Sequence, residues 1–176
     1  MLTLRRHADW DGAMDEVWAL YEASFPLHER RRREDQTQAM REPNFRCLSA
    51  WDGSVFAGLA LCWAWPCGIY VEHLAVAPEL RGRRYGARIL AALKEEGRPL
   101  ILEIDPPVDE ISERRERFYL REGFLPNGFK HVHPSYRHAC APHPLKIMSW
   151  PEALSEENYA DFLKRLRVEA MQYAEK

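Results

Sequence analysis

Residues 55–71, VFAGLALCWAWPCGIYV, carry no charged side chain, and Pro66-Cys67-Gly68 interrupts the run near its end. The run is close to the shortest apolar segment that crosses a bilayer. Pro-Cys-Gly is turn chemistry, however, and two buried strands joined by a tight turn account for the run better than a membrane helix does. A buried sheet therefore stands at the centre of what this chain folds into.

The flanks extend that sheet. Asp52-Gly53 supplies a hairpin turn between FRCLSAW and VFAGLALCWAW. IYVEHLAV (69–76), PLILEI (99–104), HPLKIMSW (143–150) and the opening LTLRR read as further strands. Trp10, Met14, Val17, Trp18, Tyr21 and Phe25 recur at helical spacing, with Asp9 as N-cap and Pro26 as stop. A helix is expected over 86–96, ending at Gly97, and another from 113 to about 122, with Ser112 as cap and Gly123 as its end. Helices interrupting a mixed sheet make an α/β, or layered α+β, domain. The 176 residues, 46% of them hydrophobic, suffice for one domain over 1–150. The tail 151–176 places Tyr159, Phe162, Leu163, Leu166, Ala170 and Tyr173 on one stripe, an amphipathic helix for the domain's own surface or for a homodimer contact.

Positive charge collects at one corner. In VAPELRGRRYGARIL (76–90) a strand runs into Arg81, Gly82, Arg83, Arg84, Tyr85, Gly86 and Ala87, and then into a helix. Amides at a helix start point outward unpaired, glycines let an anion approach them, and arginines add bidentate partners. That is a cradle for a diphosphate. A plain basic turn or a nucleic-acid contact uses the same residues. A net charge of -2 and the lack of regularly spaced aromatics weigh against nucleic acid, and anionic membrane is disfavoured by the same charge. The corner is neither a Walker loop nor Gly-x-Gly-x-x-Gly.

VAPELRGRRYGA resembles the acetyl-CoA signature of the GCN5-related N-acetyltransferases, Gln/Arg-x-x-Gly-x-Gly/Ala. Arg81 takes its first position, Gly86 its last, and Arg84 stands where the pattern has its middle glycine. RFYLREGF (117–124) is similar to the same family's second motif, Phe-Tyr followed by a basic residue and Gly-Phe. The resemblance covers roughly residues 1–150. It implies a mixed, mostly antiparallel sheet with helices on both faces, and acetyl-CoA as co-substrate. It also implies direct acetyl transfer to an amine, borne by a small molecule or a peptide, in a ternary complex. By resemblance, the backbone of Leu74, Ala75 and Val76 pairs with pantetheine amides and Tyr119 is the general acid toward the coenzyme A sulfur. Ser112 and Arg115 stand where the family often has asparagine and alanine, which makes serine the candidate for the asparagine's cofactor contact.

Glu72 and Glu103 are the candidate bases. Each is a carboxylate among apolar neighbours, a setting that raises its pKa. Simple alternation puts His73 on the face opposite Glu72, as a packing residue. Cys67 and Cys140 have no adjacent base for an acyl-enzyme. Arg30–Arg33 form either a solvated face or a rim favouring an acceptor with a carboxylate or phosphate beside its amine. His131, His133, His138, Cys140 and His143 are metal-binding residue types, but their spacing fits no common zinc signature. They are read as a loop over the acceptor cleft, with no metal and with His133 and Tyr136 near substrate. Four cysteines without short paired spacing, and a start without an apolar leader, imply reduced thiols in a cytoplasm. The competing class is an acyl-CoA-binding or interaction domain that keeps the fold without turnover.

Overall fold

In the computed structural model, which describes residues 2–175, the uncharged run becomes two antiparallel strands. These are β3 (Val55–Trp65) and β4 (Gly68–Val76), and no helix among the described residues is long and apolar enough to cross a membrane. β2 (Phe45–Asp52) meets β3 across a turn in which Gly53 takes a φ of +64°, and β1 (Leu2–His7) closes that edge. On the other side β4 runs parallel to β5 (Leu100–Ile104), which pairs antiparallel with β8 (His143–Trp150). β6 (Leu125–Pro126) and β7 (His131–His133) also pair with β8. Both are too short to show a two-residue period in sequence. The sheet has eight strands in the order β1-β2-β3-β4-β5-β8-β6, with β7 also on β8, and is mixed and mostly antiparallel as expected.

Helices cover both faces, which is why β3 tolerates no charge. Leu59, Leu61, Trp63 and Trp65 face α1 (Met14–Ser24), α2 (Arg33–Ala39) and α5 (Glu156–Arg165). Ala60 and Cys62 face α3 (Tyr85–Lys94) and α4 (Glu110–Arg121). Phe162 of α5 packs on Trp65 and Tyr70, and the chain continues through a wide turn that buries Leu166 and Ala170 in the same cluster.

Two helix starts differ from expectation. α1 begins at Met14 rather than directly after Asp9, because the Asp9 and Asp11 carboxylates accept the Trp10 and Ala13 amides (2.8 and 3.0 Å) and turn the chain first. The cap of α4 is Asp109, not Ser112. Asp109 Oδ1 accepts the Ser112 amide at 2.7 Å, while Ser112 Oγ accepts the Asp109 amide at 3.0 Å, a reciprocal box that places serine three residues inside.

The functionally important feature is a separation. β4 pairs with β5 only over Ile69–Val71 against Leu100–Leu102, and from Glu72 onward the two strands part. Residues 72–76 thus present a strand edge with no partner on that side among the described residues.

Candidate active site

Beyond Val76 the chain makes a short turn, Pro78–Leu80, and then enters the arginine corner. Gly82 has φ +77° and Arg84 φ +63°, so both lie in the left-handed region. The first amide bonded at the start of α3 is Arg88 N, to Arg84 O at 3.0 Å. Among the described residues the amides of Gly82, Arg84, Tyr85, Gly86 and Ala87 have no acceptor, whereas that of Arg83 reaches Leu80 O at 3.3 Å. Five outward amides at a helix start suit a diphosphate.

Arg84 holds a left-handed backbone conformation that favours glycine. A non-glycine residue there costs about 1–2 kcal/mol, against roughly 0.5–1 kcal/mol of entropy that a glycine loses. Arg84→Gly is therefore expected to raise thermal stability by up to about 1 kcal/mol. A lower melting midpoint would show that the arginine side chain outweighs its strain.

These amides open on a cavity of about 910 Å³ between α3 and α4. Leu74, Val76, Arg81, Gly82, Arg84, Tyr85, Gly86 and Ala87 line it, and so do Arg114, Arg115 and Arg121 of α4. α4 packs so closely that a Cβ on Gly86 would stand 3.2 Å from Phe118 Cζ. Five arginines and free amides around one groove fit a ligand with several phosphates, which is the chemistry of coenzyme A. Two expected members lie elsewhere. Arg83 is exposed beside the groove, and Ser112 lines neither cavity because its hydroxyl is committed to the cap of α4.

A second cavity of about 540 Å³ fills the space where β4 and β5 part. Ala75 lines this one, and the two cavities share Leu74, Val76, Arg81, Arg115 and Tyr119. Tyr119 is buried on α4, and burial pushes its phenol up to about 12. Its hydroxyl has no hydrogen-bond partner among the described residues.

The two glutamates do not have the raised pKa expected of them. Pairing steps from Leu61–His73 to Cys62–Val71, which leaves Glu72 as the extra residue of a β-bulge. The bulge turns Glu72 and His73 to the same face, correcting the expected alternation. His73 still packs, edge-on to Tyr21 and Phe25. Arg31 grips Glu72 with two bonds of 2.6 and 2.7 Å, and the Tyr136 hydroxyl donates to the same carboxylate. Burial alone would raise the Glu72 carboxyl, but the charge and hydrogen bonds of Arg31, with His73, hold it well below the usual range. Glu103 is lowered too: the charges of His133 and His131 and the hydrogen bonds from His131 and Tyr70 outweigh burial.

A model of the Acetyltransferase (GNAT) family matches residues 10–124. The chain belongs to the GNAT acetyltransferase family. This GNAT chain is 34% identical over 106 residues to the protein YjbC of Bacillus subtilis (strain 168), a match covering 55% of the chain and 52% of that relative. The chain thus spans about half the length of the curated relative it matches. A solved GNAT-family protein from Bacteroides thetaiotaomicron superposes with a TM-score of 0.83 at 30% identity, over 93% of each chain. A Bacillus subtilis acetyltransferase solved in complex with CoA shares the fold, with a TM-score of 0.57 at 14% identity over 85% of this chain and 97% of that one.

The family match stops at residue 124, so the far wall of the GNAT chain's second cavity lies outside it. That wall is His133, Tyr136, His143 and Leu145, facing Phe25, His28 and Glu29 from the other side. None of Arg30–Arg33 lines the cavity, so these arginines do not form a rim for an acidic acceptor. Arg31 is buried on Glu72, Arg32 pairs with Asp35, Arg30 with Glu22, and Arg33 lies over the Trp10 ring. Cys67 lines neither cavity, and burial pushes its thiol up to about 11, away from a nucleophilic thiolate. His28 and Glu29, unmarked in the sequence, belong to the site because a short turn after α1 swings them under β8.

Proposed function

We propose that the chain transfers the acetyl group of acetyl-CoA to a primary amine, directly and within a ternary complex. The observation that carries this reading is the meeting of two cavities at Tyr119, one built for phosphates and the other lined with groups that accept and donate protons.

Acetyl-CoA supplies the activated acetyl thioester. The amides at the start of α3 and the surrounding arginines hold its diphosphate, and the unpaired edge of Leu74–Val76 takes its pantetheine arm as an added strand. An amide of that edge also stabilises the negative charge that develops on the thioester oxygen. Tyr119 remains a phenol throughout the neutral range and donates its proton to the departing sulfur.

Glu103 serves the amine through His133. The Pro134 carbonyl only accepts, so His133 Nδ1 carries the hydrogen and donates to it. When the ring is neutral, that leaves a lone pair on Nε2, which stands 3.7 Å from Glu103 Oε2. His133 takes the proton lost by the attacking amine, and Glu103 steadies the resulting imidazolium. Glu72, closed off by Arg31, anchors the fold.

The test is steady-state thiol release from acetyl-CoA with a panel of amino acids, polyamines, aminoglycosides and peptide N-termini. Amine-dependent release, with mass spectrometry showing one added acetyl group on the amine, is expected. Tight binding of acetyl-CoA with no turnover on any amine would instead favour a non-catalytic acyl-CoA-binding domain.

A further inference from the structure

We infer that His28, Glu29 and His143 form a site for one divalent transition-metal ion of the zinc class in the wall of the acceptor cavity. His28 Nε2 lies 3.5 Å from Glu29 Oε1, and His143 Nε2 lies 4.0 Å from the same oxygen. All three ligand atoms fall within 4.8 Å of one another. Zinc bonds of about 2.0–2.1 Å in a tetrahedron set neighbouring ligand atoms about 3.4 Å apart. Two of the edges stand well under 1 Å from that spacing, and the third is no longer than 4.8 Å.

The ligands stand on fixed backbone. The His28 carbonyl accepts from the Tyr136 amide (2.9 Å) and the Ser135 hydroxyl (3.3 Å). The carbonyls of Glu29 and Arg30 accept from His73 Nε2 (2.7 Å) and Arg137 Nε (3.0 Å). His143 begins β8 and pairs with His133 of β7. The turn carrying two ligands is thus fastened to the strand pair carrying the third, as a preorganised site requires.

The state of His143 points to a ligand. Both its ring nitrogens are sealed from solvent and lack a hydrogen-bond partner among the described residues. A buried polar group without a partner is costly, and a cation on Nε2 satisfies one of the two nitrogens. Two imidazoles and one carboxylate are a zinc donor set that leaves a fourth position open, and all three residues line the cavity. Magnesium and calcium prefer oxygen ligands alone. The site does not depend on the acetyl-transfer reading.

The test uses tag-free, chelator-treated full-length protein, titrated with Zn²⁺ by calorimetry and with Co²⁺ by visible absorption. One Zn²⁺ per chain is expected, with Co²⁺ developing the visible bands of a low-coordinate site, and with no Mg²⁺ binding. His143→Gln and Glu29→Gln should each weaken Zn²⁺ by more than the roughly 10–100-fold that loss of a supporting hydrogen-bond partner costs at a metal site. Both variants should keep the wild-type far-UV circular dichroism and a cooperative thermal transition, which shows that they are folded, and Cys140→Ser should bind Zn²⁺ like the wild type. Wild-type binding no stronger than that of a His28→Ala/His143→Ala double variant would overturn the proposal. So would binding that survives His143→Gln but is lost in Cys140→Ser.

Discussion

Arg31→Met is expected to destabilise the fold by about 3–5 kcal/mol, the cost of leaving one member of a buried ion pair without its partner. For a chain of this size that lowers the melting midpoint by roughly 6–20 °C. The guanidinium is wholly buried, grips both oxygens of Glu72, and donates to the Ala170 carbonyl at 3.1 Å. It also lies 4.7 Å from the Tyr136 ring centre. One side chain thus joins the segment after α1, the bulge of β4, the loop before β8 and the C-terminal turn. Arg31→Met/Glu72→Gln should cost less than the two single changes summed, because glutamine carries no stranded charge and still accepts from Tyr136. Single variants within about 1 kcal/mol of wild type would mean that the pair is not the anchor described.

The same pair sets an acid limb. The Glu72 carboxyl is lowered on folding, so its contribution to stability is complete above the unfolded value of about 4.3. It is lost as pH falls from there toward the folded value. Equilibrium unfolding below about pH 4.3 should therefore show a shallower pH dependence in the double variant than in wild type.

Tyr119→Phe is expected to lower kcat by about 10²–10⁴-fold with little change in acetyl-CoA affinity. Tyr119 packs against Phe118 and Phe124, so its ring alone explains its burial and an alanine variant would confuse packing with chemistry. Phenylalanine separates them. The hydroxyl has no protein partner among the described residues, so its removal strands no polar group and the melting midpoint should barely move. A stable variant that turns over at the wild-type rate would place Tyr119 in the core and give the proton to another donor.

The sheet was legible because β3 and β4 are buried on both faces, and length and turn chemistry survive in a single sequence. The arginine corner was legible for a similar reason: a strand, a loop and a helix start adjacent in sequence carry their geometry locally. What failed was non-local. No local pattern announces a bulge, so simple alternation puts Glu72 and His73 on opposite faces. Arg31 sits in a run of arginines that reads as solvated, and only the tertiary fold selects one of them for burial. Ser112 carries the composition of a cap, yet Asp109 takes that role three residues earlier. His28 and Glu29 meet His143 only through the three-dimensional path of the chain.

The most direct test of the central claim is hydrogen–deuterium exchange on the full-length protein with and without acetyl-CoA, alongside calorimetric stoichiometry. One-to-one binding with slowed exchange at Leu74–Val76 and across Gly82–Ala87 is the predicted result. No binding at millimolar ligand, or protection confined to other segments, would contradict the assignment of the groove between α3 and α4 to coenzyme A.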